Sequence, residues 1–346
     1  MLKELLASFL ITLLFLNFTL MMEKLLRLSR LLSGVGVSVV EIGEIILYLQ
    51  PQLLILTIPM SLLLSVLLAY GRMNTDSELI ILRSSGMSFR GISMPVVYLG
   101  LGCLLTSLLM SFYMGPKGSS ILRKTVSDIM ISKAPMTIEE GIFNTAFKNI
   151  VILVREKPSP ERLSGIFIVD ERVKGEQKII TAGEGKIMPE NDSLGFSLSK
   201  GHIYITKGNI FTEIKFGNYF FKLNPAIDSP VIKNSELTPL GLWNASRESN
   251  EKKISYLLEF HRRLSMPAIC LILILLGPSL SLMAGKAGRL GGLTIGLSVF
   301  AVYYTFLLYG EKLARSGKLP HFIGAWMSFV ILGAFSVWVF ERVNKK

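Results

Sequence analysis

Six long apolar runs, none containing a charged side chain, constrain this chain more than any other feature. They cover residues 5–22, 45–71, 91–116, 264–285, 290–310 and 319–340. Each has roughly 18 residues or more, which is enough for a helix to cross a hydrocarbon core about 30 Å thick. A core helix of a soluble protein carries a polar stripe, which these runs lack. We therefore predict six membrane-spanning helices.

The composition also favours a membrane protein. Half of the 346 residues are hydrophobic and only 18% are charged, a low charged fraction for a soluble chain. The first apolar run has an alternative interpretation as a secretory signal peptide. It ends in Met21, Met22, Glu23 and Lys24 rather than in the small residues of a cleavage site, so we expect a retained helix.

The net charge of +12 does not indicate nucleic-acid binding. Most basic residues lie beside the apolar runs or among acidic residues, and no basic cluster is interleaved with aromatic side chains. Cys103 and Cys270 lie in separate apolar runs, which favours small core residues over a disulfide or a metal pair. We expect no metal, no other cofactor and no nucleic-acid partner.

The sequence contains no recognisable catalytic constellation. Its three histidines, His202, His261 and His321, lie in a predicted strand or beside apolar runs, where a structural role is more common than catalysis. The zinc-protease, serine-hydrolase and P-loop motifs are all absent. We therefore expect that the chain is not an enzyme by itself and binds no ATP through a P-loop of its own.

The region between residues 117 and 255 has the pattern of a β domain. Residues 150–154 and 166–169 are β-branched runs of strand length, and residues 210–217 alternate in the manner of a half-buried strand. An all-β sandwich or jelly roll is the natural packing for such strands. A polar connector at 237–254 leads back to the fourth apolar run.

Turn residues divide this β domain into hairpins. Gly208-Asn209 lies between apolar runs at 203–205 and 210–214 and predicts a tight hairpin turn. Further turns are expected at 189–192 and at Lys200-Gly201.

A short helix is predicted in the loop between the second and third apolar runs, within residues 74–86. Thr75 and Glu78 have the spacing of a capping box, and Gly86 suits a C-terminal stop. The apolar residues of this helix are Leu79, Ile80, Ile81 and Leu82. Such a helix can lodge in a groove of a soluble partner. It can equally be a membrane-surface helix that only joins two spans, and the residues alone leave both interpretations open.

Basic residues in the short loops favour one orientation. The larger set, on the predicted cytoplasmic side, is Lys3, Arg72, Arg83, Arg90, Lys286, Arg289, Arg342, Lys345 and Lys346. The smaller set, on the other side, is Lys24, Arg27, Arg30, Lys312, Arg315 and Lys318. Both termini are therefore expected in the cytoplasm and the inserted domain outside it.

Several features taken together resemble one known family. They are the 74–86 loop followed by Met-Ser-Phe-Arg-Gly-Ile-Ser-Met-Pro at 87–95, Gly-Pro-Lys-Gly-Ser-Ser at 115–120, and Glu-Phe-His-Arg-Arg-Leu-Ser at 259–265. With three spans, a β domain and three more spans, the whole chain resembles the lipopolysaccharide-export permeases of the LptF/LptG type. Leu-Trp-Asn at 242–244 and Gly-Pro at 115–116 incline toward the F-type subunit.

The expected fold is thus an α-helical membrane protein of the bacterial inner membrane, with six transmembrane helices and an inserted all-β, jelly-roll-like periplasmic domain. Residues 1–116 would hold the first three helices and the cytoplasmic coupling helix at 74–86. Residues 117–255 would form the periplasmic β domain with its connector, and residues 256–346 the last three helices.

The resemblance also implies partners. The chain would pair with a sibling permease, bind a dimeric cytoplasmic ABC ATPase, and pass lipopolysaccharide to a periplasmic β-jellyroll bridge, and a single-span regulatory subunit is a further expected partner. Glu78 would be the acidic position of the coupling helix that contacts the ATPase. Arg83, Leu79 and Leu82 on the same helix would complete the ATPase-coupling residues.

Lipopolysaccharide presents phosphates at the membrane surface, so basic residues near the outer helix ends are candidates for headgroup binding. They are Lys24, Arg27 and Arg30 after the first span, Arg262 and Arg263 before the fourth, and Lys312, Arg315 and Lys318 after the fifth. The three-residue spacing within the first and third groups favours one helix face. Ordinary snorkelling at the interface is the alternative.

Two further functions remain open. An ABC-type mechanotransmitter would keep the ATPase but act on a periplasmic protein without moving lipid, and a scaffold or sensor would need no ATPase. The six apolar runs contain no acidic residue, which argues against a proton- or sodium-coupled transporter.

Overall fold

The computed structural model describes residues 1–31, 37–137, 139–147, 149–173, 175–190, 193–208, 210–223, 234–249, 252–283 and 288–344. Within these ranges the α-helices are α1 (Leu2–Leu31), α2 (Val39–Thr75), α3 (Glu78–Ser84), α4 (Phe89–Leu109), α5 (Gly115–Thr137), α6 (Pro239–Glu248), α7 (Lys253–Met283), α8 (Gly288–Arg315) and α9 (His321–Asn344). A π-helical turn, Met110–Met114, joins α4 to α5, and a 3-10 turn, Asn234–Glu236, precedes α6. The strands are β1 (Asn144–Phe147), β2 (Ile150–Ser159), β3 (Arg162–Asp170), β4 (Glu176–Glu190), β5 (Ser193–Lys207) and β6 (Ile210–Leu223).

Six helical segments of the described chain are long and apolar enough to cross a membrane. They are Leu2–Ser29, Val39–Thr75, Phe89–Ile129, Lys253–Met283, Gly291–Arg315 and His321–Asn344. Three precede the β-strands and three follow them. The predicted fold class, a helical membrane protein with an inserted β domain, is confirmed.

The chain divides into two compact units. The first comprises Met1–Glu23, Tyr48–Ser120 and Lys233–Lys346, and the second comprises Lys24–Leu47 and Ile121–Ile232. In the first unit, α2 and α7 supply the centre of the apolar core, with Leu62, Leu273 and Leu276 fully buried.

Close backbone contact holds α8 and α9 together. A Cβ atom on Gly310 would lie 2.2 Å from the carbonyl oxygen of Gly324, and one on Gly324 would lie 2.6 Å from the carbonyl oxygen of Gly310. Lipid chains are as apolar as leucine, so helices associate in a membrane through close packing and interhelical hydrogen bonds. Glycine at both positions permits this approach.

Hydroxyl groups cross-link the helices of the first unit at its buried positions. Tyr70 Oη donates to the Ile92 carbonyl oxygen at 2.6 Å. Ser336 Oγ donates to the Ile272 carbonyl oxygen at 3.1 Å. Because no water competes for these groups in a hydrocarbon environment, each bond helps to select one packing of the helices.

The β domain of the second unit is one antiparallel sheet in which the described strands pair in chain order, β1 to β6. The predicted strands at 150–154, 166–169, 203–205 and 210–214 all lie within β2, β3, β5 and β6. Short turns connect the neighbours, as the pairs Ser159↔Arg162 and Lys207↔Ile210 show. The all-β prediction is confirmed, and the connectivity is a meander, whereas a strict jelly roll has Greek-key connections.

In two long strands, the alternation of buried and exposed side chains shifts by one residue part-way along the strand. In β3, Ile166 and Ile168 are buried, whereas nearer its start the buried residue is Leu163. Gly165 lies between them with a φ of +64°. One left-handed residue reverses the side-chain alternation, so both halves of the strand contribute to the same apolar cluster.

Lys200 makes the same reversal in β5, where its φ is +56°. Leu198 is buried on one side of it and Ile203 on the other. The predicted turn at Lys200-Gly201 is therefore wrong, because both residues lie inside β5. The turn-like dipeptide instead marks a left-handed position within a continuous strand.

Two further outcomes concern the predicted turns. Gly208 has a φ of +58° next to the paired residues Lys207 and Ile210, as a hairpin requires, while Asn209 lies outside the described residues. Of the turn predicted at 189–192, residues 189 and 190 belong to β4, where Glu190 pairs with Ser193, and residues 191–192 lie outside the described residues.

The polar connector contains a helix, α6, that the sequence interpretation missed. The Thr238 hydroxyl accepts a hydrogen bond from the Gly241 N–H at 3.2 Å, and Pro239 occupies the first helical position. A threonine N-cap followed by proline is a helix-start signal that was available in the sequence.

Candidate coupling surface and headgroup-binding residues

The helix α3 forms the predicted segment between α2 and α4, but it begins differently from the prediction. Thr75 is the last residue of α2, and its hydroxyl donates to the Gly71 carbonyl oxygen at 3.0 Å. The N-cap residue of α3 is Ser77, which has a left-handed φ of 59° and makes no side-chain capping bond. The predicted capping box of Thr75 and Glu78 is therefore wrong, because α2 extends one turn further than its apolar run.

The predicted C-terminal stop of this helix is confirmed. Gly86 has a φ of +88°, a conformation that glycine adopts without steric cost. Its N–H donates to the Arg83 carbonyl oxygen at 3.1 Å, and the Met87 N–H donates to the Leu82 carbonyl oxygen at 3.2 Å. These backbone bonds satisfy carbonyl groups at the end of α3.

The two faces of α3 differ sharply in exposure. Leu79 is 1% exposed within the core of the first unit, and Leu82 is half-buried against that core. Ile80 and Ile81 are 62% and 64% exposed, and Glu78 is exposed beside them. We define Glu78, Ile80 and Ile81 as the outer face of α3. Leu79 and Leu82, both predicted as coupling residues, anchor the helix instead of lying on this face.

Arg83 joins α3 to the end of the last helix. Its Nη2 donates to the Val343 carbonyl oxygen in the final turn of α9 at 3.4 Å. Its guanidinium also lies 5.9 Å from the centroid of the Phe89 ring, which in turn lies 5.3 Å from the Phe340 ring. These contacts connect α3 directly to α9.

The first group of predicted headgroup residues lies on α1, which continues as a helix through Leu31, as the spacing predicted. Lys24 is half-buried and Arg27 is exposed. The side chain of Arg30 lies outside the described residues.

Arg262 and Arg263 lie in very different environments despite being neighbours. Arg263 is 6% exposed, and its guanidinium donates to the carbonyl oxygens of Asn234, at 2.9 Å, and of Leu237. Its Nε lies 3.5 Å from Glu259 Oε1. Two of these partners, Asn234 and Leu237, lie in the segment before α6. Arg263 therefore connects that segment to helix α7.

Arg262 is more accessible than its neighbour, with 36% of its side chain exposed. Its Nε lies 3.8 Å from Oε1 of Glu311, a carboxylate that is almost fully buried in α8. The apolar run of the fifth span ends at Gly310, but the helical span continues and includes Glu311. The expectation that the spans contain no acidic residue is therefore wrong for this span. Its buried acid, Glu311, lies beside the basic side chain of Arg262.

The third group lies at the end of α8. Lys312, Arg315 and Lys318 are all exposed, and Arg315 Nη1 donates to Ser255 Oγ at 3.5 Å. Because α8 ends at Arg315 and Gly317 has a φ of +75°, Lys318 lies in the turn and not on the helix face. The predicted common face holds for Lys312 and Arg315.

Comparison with known sequences assigns the chain to a family. The family model for the lipopolysaccharide export system permease LptF/LptG matches residues 1–342. The chain belongs to the LptF/LptG family. It is accordingly a membrane protein of a lipopolysaccharide-export permease family, and this identity together with its six spans points to the inner membrane.

Individual relatives of the LptF/LptG family are distant in sequence. The chain is 24% identical over 329 residues to the uncharacterized protein RP871 of Rickettsia prowazekii (strain Madrid E), covering 90% of this chain and 88% of the relative. It is 21% identical over 291 residues to the lipopolysaccharide export system permease protein LptG of Escherichia coli (strain K12), covering 82% and 81%. The family model spans both subunit types, so the F-type assignment stays a prediction.

Proposed function

We propose that this chain is one transmembrane permease subunit of an ABC-type exporter that extracts lipopolysaccharide from the inner membrane. A sibling permease completes the transmembrane pair, and a separate dimeric cytoplasmic ATPase supplies the energy. The observation that carries the proposal is the outer face of α3, where an acid and two isoleucines are exposed on a helix anchored in the core of the membrane unit.

The outer face of α3 suits a groove on a soluble partner. Ile80 and Ile81 offer apolar surface, and Glu78 offers a carboxylate to a basic or N–H donor of the ATPase. Leu79 fixes the opposite side of the helix in the core, and Arg83 connects it to α9. Movement imposed on α3 by ATP binding would therefore reach the spanning helices through contacts that are already formed.

The lipid would enter an outward cavity between the two permeases and leave it when the cavity closes. ATP performs work in such a cycle only if the two packings of the helices differ in their affinity for the lipid. Basic residues near the outer helix ends would meet the headgroup phosphates, namely Lys24, Arg27, Arg30, Arg262, Lys312, Arg315 and Lys318. Arg263 would instead position the connector, because its donors are directed at Asn234, Leu237 and Glu259.

The β domain would carry the acyl chains onward to a β-jellyroll bridge. Strand β6 pairs with β5 on one side, and no strand of the described chain pairs with its other side. Its residues Ile210, Phe211, Ile214 and Phe220 are between 44% and 68% exposed. An apolar strand at the edge of a sheet is suited to strand addition by a neighbouring domain.

We further propose that both termini, together with α3, lie in the cytoplasm and that the β domain lies in the periplasm. The excess of basic residues in the loops on the α3 side supports this orientation. A single-span regulatory subunit would join the complex at the membrane level.

The ATPase contact can be tested by co-purification. The tagged chain would be solubilised in mild detergent, and the chains that copurify would be identified by mass spectrometry for wild type and for Glu78→Arg. We expect wild type to bring down a P-loop ATPase and a second permease, and Glu78→Arg to lose the ATPase at least tenfold while keeping the permease. Ten-fold corresponds to about 1.4 kcal/mol, a modest loss for a charge reversal in an interface.

Glu341→Arg is the matched control, since it reverses an exposed acid at the end of α9 without touching the outer face of α3. It should retain both partners. An ATPase that stays bound to Glu78→Arg and to Ile81→Asp would contradict the coupling role of this face. Intact ATPase binding without lipid transport in a reconstituted assay would favour a mechanotransmitter instead.

A further inference from the structure

A row of five residues interrupts the pairing of the β sheet at the same level in four strand pairs. Regular pairing resumes on both sides of this level, as Val154↔Ile166 and Glu156↔Ser164 show for β2 and β3. The register of the flanking pairs places the unpaired residues opposite one another across the sheet. We call them the interruption row: Arg155, Gly165, Gly183, Lys200 and Gly217.

A cleft of about 550 Å³ lies along this row on the face of the sheet opposite the buried core. Its floor contains the half-buried side chains of Leu153, Phe167, Thr181 and His202, which pair with one another across β2 to β5. Gly165 and Gly183, which carry no side chain, lie between the two basic members of the row. No acidic residue of the described chain lines the cleft.

The basic side chains face the cleft from opposite ends. The Arg155 side chain lies over Gly165, since a Cβ atom there would be 2.7 Å from Arg155 Cβ and 3.5 Å from its Nε. Lys200 approaches from β5, where it is exposed. Strands lie about 4.8 Å apart, so the β2 and β5 backbones are separated by about 14 Å, a span for two long side chains and a ligand between them.

Neither basic side chain has an ion-pair partner among the described residues. Other basic residues of the domain do have one, as Lys186 with Glu161 and Lys178 with Glu176 show. The third basic side chain in the cleft, that of His202, already has a partner, because its Nδ1 lies 2.9 Å from Glu213 Oε1. Arg155 and Lys200 therefore bring two positive charges, neither of them in an ion pair with a described residue, to one recessed surface.

The backbone of Lys200 indicates that this arrangement has a cost. A left-handed lysine inside a strand is an unfavoured conformation that glycine would adopt freely. Gly165, two strands away in the same row, shows that the sheet accepts glycine at such a position. Strained side-chain-bearing residues of this kind cluster where a side chain has a function.

From this geometry we infer that the cleft is a binding site for a phosphoryl group, carried by a sugar phosphate or present as free phosphate. Two separated cations match a dianion better than a carboxylate with a single charge. The volume exceeds that of a free phosphate and leaves room for a sugar ring over the half-buried Leu153 and Phe167. This inference does not depend on the coupling role of α3.

Isothermal titration of the full-length chain in detergent tests the site with three probes: glucosamine 1-phosphate, inorganic phosphate and unphosphorylated glucosamine. We expect glucosamine 1-phosphate to bind and glucosamine not to bind. Equal affinity for inorganic phosphate would identify the phosphoryl group alone as the ligand, and weaker binding of phosphate would identify a sugar phosphate. The absence of heat from both phosphorylated probes at millimolar concentration would overturn the inference.

The variant Lys200→Gly separates binding from folding. It removes the cation but relieves the left-handed strain, so the protein should unfold at the same or a higher temperature while affinity falls about tenfold or more. Arg155→Gln should weaken binding to a similar extent. Lys207→Gln, at the far end of β5, is the control and should bind as wild type does. Unchanged affinity in both Lys200→Gly and Arg155→Gln would refute the site.

Discussion

Substituting Arg263 with alanine tests whether one buried guanidinium holds the connector onto the membrane helices. The side chain is 6% exposed and reaches three partners, the carbonyl oxygens of Asn234 and Leu237 and the carboxylate of Glu259. Asn234 lies in the 3-10 turn, and Leu237 lies two residues before the start of α6. The guanidinium therefore fixes this segment of the chain against α7.

The expected cost follows from what the truncation leaves behind. Two backbone carbonyl groups beside the buried guanidinium lose their charged donor, and so does the carboxylate of Glu259, whose side chain is 24% exposed. Each unsatisfied buried group costs about 1–3 kcal/mol, and breaking a buried ion pair by removing one partner typically costs about 3–5 kcal/mol. We therefore expect Arg263→Ala to lower the free energy of unfolding by about 3–5 kcal/mol.

Arg262→Ala is the matched control, because it removes the same side chain one residue earlier. Arg262 is 36% exposed, and its single ion pair with Glu311 is long at 3.8 Å. A partly exposed pair of this kind contributes about 1 kcal/mol or less. The sequence gives no reason to distinguish the two arginines. The structure predicts that Arg263→Ala lowers the free energy of unfolding severalfold more than Arg262→Ala does.

Chemical unfolding in mixed micelles would measure both variants, with limited proteolysis of the 234–249 connector as a local readout. Arg263→Ala should expose the connector to protease well before the membrane helices unfold, while Arg262→Ala should resemble wild type. Equal stability losses in the two variants, or a neutral Arg263→Ala, would refute the positioning role.

Two further predictions concern the helix packing and the sheet. Gly324→Ala should lower the free energy of unfolding by about 2 kcal/mol or more, because the new methyl group would lie 2.6 Å from the Gly310 carbonyl oxygen. Gly333→Ala on the same helix is the control. Its methyl group would have its nearest neighbour at 3.8 Å, so this variant should be neutral in the same unfolding assay. Burial alone would raise the pKa of Asp170, but the hydrogen bonds and the charge of Arg172 outweigh it and hold that pKa below its usual range. A carboxyl with a lowered folded-state pKa stabilises the protein above its unfolded pKa of about 3.9 and loses this contribution as the pH falls through the lower folded value. Thermal unfolding followed by circular dichroism should therefore show an acid-dependent loss in wild type below about pH 4 that is smaller in Asp170→Asn, and identical pH profiles for the two would contradict the assignment.

Local sequence patterns were sufficient for the spanning helices and for strands β2, β3, β5 and β6, whereas α6 was missed. The spanning helices follow from the length of the charge-free runs, because a hydrocarbon layer excludes charge and demands internally bonded backbone. The strands at 150–154 and 166–169 follow from β-branched residues of strand length. These elements depend on residues that are close together in the chain, so they can be predicted from the order of residues alone. The failures at Thr75 and Lys200 share a cause. Each residue has a local signal for the boundary of an element, but helix α2 continues through Thr75 and strand β5 continues through Lys200.

By itself, the sequence determined the class of protein, the number of spans, the inserted β domain and the position of α3, since hydrophobic length and alternation are properties of consecutive residues. Only the tertiary structure decided which side of α3 is free, because Leu79 and Ile80 are equally apolar and differ only in what packs against them. It likewise separated Arg263 from Arg262 and aligned Arg155 with Lys200 across four strands. Burial and pairing between distant residues set the roles of these side chains, and neither can be read from the order of residues along the chain.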